Sequence, residues 1–591
     1  MTAVDDRPER EPSASTAMLS RTATGRLVPS AADRARGALS GLSRHDRLVG
    51  WLAPVLITLI AFALRLVGLG NPARFAFDET YYAKDGWSLW RNGYVRDHKD
   101  DADGNPDTDL NADILDGTTT GLWTGDPSLT VHPDVGKWLI GLGETLFGMD
   151  PFGWRIMSAV AGALMVLVLI RLVRRMTGST LLGCVAGVLL MLDGLHFVLS
   201  RLALLDIFYA LFLLCGVACV VADRDWYRRR LARSFGDGGH RAGRWGPVRA
   251  VLYRPWLLTG GVMFGLACGT KWGAIWPLAG FGLLVWFWSA GARRSLGVRQ
   301  PVLRSALADG LPAFGQLVVV AALTYVATWG GWLAHAPEYE EHLSSTQYTQ
   351  FTGAGHCAED EDSFVADDLD ETARWPTATE PDATGPAEAW QSLRSLWYYH
   401  QDVYTFHANF LNCSTHTYES DPLGWPLLNR PVGVAVTNDI PPGEQGCDAA
   451  PDSDCIRQVL LIGTPVLWWG GSLALLVAGA LWLGTRDWRF GVAVVGGLVT
   501  WLPWLLYDDR PIFLFYAIGM LPFLVIALTL LIGRLLGAGT VAGPARTAGV
   551  VVSGAYVILV LINFAWFWPI WTNGLLTHGE WLARIWFSRW I

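Results

Sequence analysis

The sequence predicts an all-α polytopic membrane protein: a bundle of about eleven transmembrane helices, with interfacial helices and one large irregular loop on the external side. Three observations predict this class. About half of the 591 residues are hydrophobic, and they fall in blocks of roughly 20, the length that crosses a bilayer as a helix. The Arg-rich segments, before the first block and at 171–175, 224–254 and 293–304, all fall on one side if alternate loops face the same way; that satisfies the positive-inside rule. The opposite side then receives 70–152 and 334–458, and the second of these carries 22 acidic residues against four Arg. The net charge of −8 hides this division. A soluble chain of this length would instead split into several domains with polar surfaces.

Residues 1–49 are polar, rich in Ala, Ser and Arg, and lack the apolar core of a signal peptide. They read as a disordered cytoplasmic arm, with the first span as the membrane address. The spans fall at roughly 50–69, 153–172, 180–199, 203–222, 256–270, 273–291, 312–333, 459–483, 489–507, 512–533 and 548–570. This divides the chain into an N-terminal transmembrane module (50–333, with first external loop 70–152), a large external loop (334–458), C-terminal transmembrane helices (459–575) and an external amphipathic tail (576–591). After Pro133, the residues Val135, Trp138, Leu139, Leu142, Leu146 and Met149 recur at helical spacing, as do Trp581, Leu582, Ile585 and Trp586. Each set fits a helix lying on the outer membrane surface or one packed on other spans.

Cys184, Cys215, Cys219 and Cys268 lie within spans and read as packing residues. Cys357, Cys413, Cys447 and Cys455 share the external loop, where an even number suggests disulfides. Cys447–Cys455 with Cys357–Cys413 is the preferred pairing, and two others stay open. No tight CxxC pair points to zinc.

The stretch FAFDETYY sets Asp78 and Glu79 side by side at the mouth of the first span. The same face receives His132, Lys137, Arg155, Asp193, His196, Arg201, Asp206, Lys271, His400, His407, His416, Asp508, Asp509 and Arg510. Singly, each has a bland reading. Arg201 and Lys271 fit snorkelling anchors, Asp193 and Asp206 their ion-pair partners, 508–510 a hydrophilic turn, and the loop histidines solvated side chains at no standard metal spacing. Together, ionisable groups gathered at one membrane face mark a site. A carboxylate beside several cations there suits a lipid phosphate bearing a group to be transferred. Cations hold the phosphate and stabilise its charge as it leaves. Phosphate needs no acid to leave, but an incoming hydroxyl needs a base. This logic expects one critical carboxylate rather than a glycosidase pair, with Glu79 in support, and it requires no divalent cation.

FAFDETYYAKDGWSL, VHPDVGKWLIGLGETLFG, WRIMSAVAGAL, SRLALLDIFYALF, GTKWG and YHQDVYTFH with HTYESDPLGWPL occur in one order. In this the chain resembles bacterial, especially actinobacterial, protein O-mannosyltransferases over most of 50–575. The resemblance implies a GT-C fold. It implies inverting transfer of mannose from polyprenyl-phosphate-mannose to Ser or Thr of secreted or membrane proteins. The place it implies is the outer face of the bacterial cytoplasmic membrane, with the secretion translocon as a partner and no nucleic acid. It makes Asp78 the base and Glu79 its partner. Arg65, Lys137 and Arg155 match basic residues of the family. With Arg201, Lys271 and His132 they form the expected donor set, and Asp206, His400, His407 and Arg510 the acceptor or supporting set.

Two departures stand out. Asp134-Val135 replaces the usual Pro-Leu, putting a carboxylate near the expected phosphate. The longer segment 95–127 holds Asp101, Asp103, Asn105 and Asp107, a possible calcium cradle without the EF-hand Gly and final Glu; a solvated acidic loop is the simpler reading. No β-trefoil insertion is visible. The alternatives are a GT-C transferase acting on a glycan or lipid acceptor, a transporter and a sensor. A transporter would carry midplane charges and repeated halves.

Overall fold

The computed structural model describes residues 19–21, 27–29, 44–99, 108–236, 245–343, 373–408, 411, 415–507, 509–537 and 543–591. Among them, eight helices are long and apolar enough to cross a membrane: Leu48–Leu66, Pro151–Thr177, Leu205–Ser234, Trp272–Ser295, Pro301–Thr328, Pro465–Thr485, Trp488–Leu506 and Pro544–Trp571. Three apolar helices are shorter: Thr180–Met191, Pro255–Cys268 and Leu521–Leu535. Each span expected from the sequence overlaps one of these, and the protein is a multi-pass helical membrane protein. Side chains such as Leu52, Leu56 and Leu59 of the first helix stay exposed, as lipid contact requires.

The short helices have local causes. The span expected at 180–199 breaks at Asp193, whose carboxylate accepts the His196 N–H at 2.9 Å and caps a second helix, Gly194–Leu199. The same carboxylate accepts Thr464 N–H at 3.1 Å and Trp468 Nε1–H at 2.8 Å, locking the break to the C-terminal helices. The span expected at 512–533 begins instead as a 3₁₀ turn, Leu514–Gly519, and Pro522 sits in the first turn of the helix that follows.

The loop 334–458 is more regular than its sequence suggests. It contains a long helix, Pro386–Ala408, and the strand Val432–Ile440. That strand pairs antiparallel with Cys455–Leu461, which in turn pairs with Leu575–Thr577. Residues 459–461, expected to open a span, are therefore strand; buried on both faces, they read as a continuous apolar run. Cys447 and Cys455 are disulfide-bonded at the hairpin that joins the first two strands. Cys357 and Cys413 lie outside the described residues, as do Asp101, Asp103, Asn105, Asp107 and Asp508. In the tail, only His578–Leu582 is α-helical. Trp581 Nε1 donates to Gln458 Oε1 at 2.7 Å and buried Trp590 donates to Leu428 O at 2.7 Å, so the tail docks on the sheet and its neighbours.

Two helices frame the site. Glu79–Asn92 crosses Val135–Phe147 so closely that a Cβ on Gly141 would lie 2.2 Å from the Gly86 carbonyl oxygen. Only glycine permits that approach. The Val135–Phe147 helix thus packs on protein through this face. The Pro386–Ala408 helix is tied to the same region by Tyr399, whose hydroxyl donates to Thr130 O at 2.7 Å and accepts Thr130 N–H at 2.8 Å.

Candidate active site

The Asp-Glu pair has two different environments. Glu79 is fully buried, and each carboxylate oxygen accepts two hydrogen bonds. Oε1 takes Arg155 Nε–H and Ala203 N–H, both at 2.8 Å. Oε2 takes Arg155 Nη2–H at 2.7 Å and Ala76 N–H at 2.9 Å. No lone pair is left for chemistry. Asp78 holds the N-cap position of the helix but makes no side-chain capping bond. Among the described residues its carboxylate accepts one hydrogen bond, a long one of 3.3 Å from the Tyr82 hydroxyl, one helical turn on. Asp78 is half-buried, and burial pushes its carboxyl up to about 6, against the opposing pull of the Lys271 cation. Phe77, just before it, is left-handed (φ 54°), a conformation uncommon for a bulky residue and typical of functional loops. Its ring sits edge-on to Phe513 and Phe515, at 5.6 and 5.8 Å between centroids.

The basic residues expected around the donor divide sharply. Arg155 spends all five N–H groups within the protein: two on Glu79, two on the Leu69 and Pro72 carbonyls and one on the Arg74 carbonyl. Arg201 caps the C-terminal end of the first helix, donating to the carbonyls of Arg65, Val67 and Gly68. Arg65 donates to Ala61 O and to His196 Nδ1, 2.7 Å away. Lys137 is buried between Asp85 (3.1 Å) and Asp134 (3.6 Å), and burial raises the Asp134 carboxyl to about 6. Arg155 and Arg201 are engaged in holding the fold, whereas among the described residues Arg65 Nε and Lys137 Nζ are buried without a hydrogen-bond partner. Lys271 differs. It is clamped by both oxygens of Asp206, at 3.0 and 2.8 Å, lies 4.7 Å from the Tyr516 ring centroid and exerts its charge on Asp78.

The histidines and Arg510 close the other side. His407 Nδ1 accepts Arg510 Nη1–H at 2.7 Å, which leaves its Nε2–H to donate to Val131 O at 3.0 Å. His132 stacks on His407 at 5.4 Å between centroids and faces Tyr82 at 6.2 Å. Burial, then nearby cations, hold His407 down at about 4 and His132 well below the usual range, so both rings are neutral near pH 7. His400 belongs to an adjoining relay: Trp272 Nε1–H donates to the Tyr325 hydroxyl at 2.8 Å, which donates to His400 Nε2 at 2.5 Å. Among the described residues, no group of three or more His, Cys, Asp or Glu is arranged to hold a metal.

The structure therefore gathers Asp78, Asp206, Lys271, His132, His407 and Arg510; Arg155 and Arg201 spend their hydrogen bonds within the protein. The sequence reading missed Tyr82 and Tyr516 as neighbours of Asp78. Tyr82 had a signal, its four-residue helical spacing from Asp78; Tyr516, more than 400 residues away, had none.

This assembly has relatives. The family described as dolichyl-phosphate-mannose-protein mannosyltransferase matches residues 55–295, and the C-terminal four-helix transmembrane region of protein-O-mannosyltransferase matches 392–590. The polyprenol-phosphate-mannose–protein mannosyltransferase of Mycolicibacterium smegmatis (strain MKD8) is 35% identical over 557 residues, covering 92% of this chain and 94% of that protein. The Mycobacterium tuberculosis protein of the same name is 34% identical over 550 residues, covering 92% of each. The solved S. cerevisiae protein O-mannosyltransferase complex bound to its sugar donor superposes with a TM-score of 0.65, covering 97% of this chain and 96% of that one; at 13% identity this is a likeness of fold. With a relative 35% identical across 92% of the chain and the Asp-Glu loop inside the first family match, the chain belongs to the protein O-mannosyltransferase family.

Proposed function

We propose that this protein transfers mannose from a polyprenyl-phosphate-mannose to Ser or Thr hydroxyls of polypeptides, with inversion, on the face of the bacterial cytoplasmic membrane opposite the Arg-rich loops. The observation that carries the mechanism is the asymmetry of the pair: Glu79 is saturated, while Asp78 keeps an available carboxylate. Asp78 takes the proton of the acceptor hydroxyl as that oxygen bonds to the anomeric carbon. The bond from that carbon to the phosphate oxygen breaks, and polyprenyl phosphate leaves with the electron pair. Lys271 and Arg510 are the cations best placed to meet that charge. Glu79 and Arg155 act as positioning residues for the Asp78 loop.

The test is transfer by the purified full-length protein in detergent, from polyprenyl-phosphate-mannose to a Ser/Thr peptide, with the product anomer read by NMR. An α-mannosyl peptide from the β-linked donor supports the reading. A β product removes the single-base mechanism. Transfer only to a glycan or lipid acceptor favours the other GT-C activity.

The pH profile gives a second check. With Asp78 titrating at about 6 and both neighbouring histidines held below their usual range, kcat/KM is expected to rise with pH through about 6. Lys271 lowers the Asp78 pKa and Asp206 raises it. Lys271→Met should therefore move the acid limb to higher pH and Asp206→Asn to lower pH. Asp134→Asn should leave the limb in place, although Asp134 also titrates near 6. A limb that moves only with Asp134 would assign the base wrongly.

A further inference from the structure

We propose that the pocket between the Asn71–Arg74 loop and the three-stranded sheet binds a phosphate-bearing anion, at a site separate from the reaction centre. The pocket encloses about 560 Å³, within the range of small-molecule sites. Its polar lining includes Asn71, Arg74, Thr437, Gln445, Arg457 and Asn573, with no carboxylate among the lining residues. Neither arginine is ion-paired among the described residues. Arg74 Nη2 donates to Val436 O at 2.9 Å, and Arg457 makes only long bonds, 3.3 Å to Asn573 O and 3.4 Å to Gln445 O. Two guanidinium groups facing one polar cavity without a counter-ion favour an anion, and their planar forks suit phosphate oxygens. Gln445 and Asn573 both hold left-handed backbone (φ 49° and 58°) at the rim, a conformation that costs energy and gathers at ligand clamps.

The depth of the pocket narrows the ligand. Asn71–Arg74 follows closely on the first membrane helix, which ends at Leu66, and Thr572–Gly574 directly follows the last, which ends at Trp571. The walls thus lie where two helices leave the hydrocarbon, at the level of lipid headgroups. An occupant would also bear on catalysis. The Arg74 carbonyl accepts Arg155 Nη2–H at 2.9 Å, and that same guanidinium grips Glu79 beside Asp78. An anion held by the Arg74 side chain would stiffen the loop that carries the base.

The shared chemistry is a phosphate group, from an anionic phospholipid headgroup or from free phosphate. The full-length protein would be compared in phosphatidylglycerol and phosphatidylcholine nanodiscs, with retained lipid counted by native mass spectrometry. A parallel arm would titrate inorganic phosphate in detergent. Wild type, Arg74→Gln/Arg457→Gln and the charge-keeping Arg74→Lys/Arg457→Lys would be measured alike. Loss of two charge-assisted contacts should weaken binding at least about tenfold in the Gln pair, with the Lys pair in between. Phosphatidylglycerol retention that inorganic phosphate does not displace assigns a headgroup, and saturable phosphate binding lost in the Gln pair assigns the free ion; either supports the site. Binding of neither probe, or binding equal in wild type and the Gln pair, overturns it. If the Gln pair misfolds, the Lys pair decides alone: unchanged affinity there, with its geometry altered and its charge kept, rejects the fork-specific site. The readout is binding, so the outcome is independent of mannose transfer.

Discussion

Asp78→Asn is expected to lower mannose transfer by about 10²- to 10⁴-fold, the range that a positioned general base contributes. That corresponds to about 3–5 kcal/mol of barrier. The amide has the shape of the carboxylate but cannot take the acceptor proton. Folding should be spared, because the side chain makes one long hydrogen bond, no cap and no ion pair among the described residues. Donor binding should persist or tighten, since a negative charge near an incoming phosphate is removed. Asp78→Glu keeps the charge but displaces it by one methylene; a misplacement of about 1 Å costs on the order of 10²-fold. The decisive set is single-turnover transfer, donor affinity and thermal midpoint on the same preparations. A folded Asp78→Asn protein that keeps more than a tenth of the wild-type rate would remove Asp78 from the reaction and leave the base unassigned, since Glu79 has no free lone pair.

The sequence made Asp78 legible because its signal is local: two adjacent carboxylates beside aromatics at the end of an apolar block. The same is true of the helices, whose apolar periodicity survives without tertiary information. What failed to show was anything set by partners far along the chain. Arg155 and Glu79 both carry charge on the expected face, but their mutual saturation depends on Ala203 and the 69–76 turn. Arg201 likewise carries charge on that face, but the carbonyls it caps, those of Arg65, Val67 and Gly68, lie at the far end of an earlier helix. Asp193 stood out within an apolar run, yet the break it makes is fixed by Thr464 and Trp468, some 270 residues on. Strand Cys455–Leu461 passed for the start of a span because both its faces are buried, which erases the two-residue alternation that marks a strand.

The Glu79–Arg155 pair should show the largest structural effect. Both side chains are fully buried, and the pair joins Ala76, Ala203 and the 69–74 turn to the second membrane helix. Glu79→Gln leaves the Arg155 charge buried and unpaired, and Arg155→Leu does the reverse; breaking one partner of such a pair costs about 3–5 kcal/mol. Arg155→Leu should be the worse, because it also strands the Leu69, Pro72 and Arg74 carbonyls. Arg155→Lys should not rescue, since an ammonium has three donors and no planar fork. The informative variant is the double Glu79→Leu/Arg155→Leu. Removing both charges eliminates the unpaired ion, so the thermal midpoint should recover in part. The rate should not, because the turn that presents Asp78 has lost its anchor. The loss should appear in kcat more than in KM, as the base is misaimed while the donor's apolar chain still binds. Recovery of midpoint and rate together in the double variant would reduce the pair to a structural element with no part in aiming the base. Wild-type midpoints in both single variants would show that the pair does not hold the loop at all.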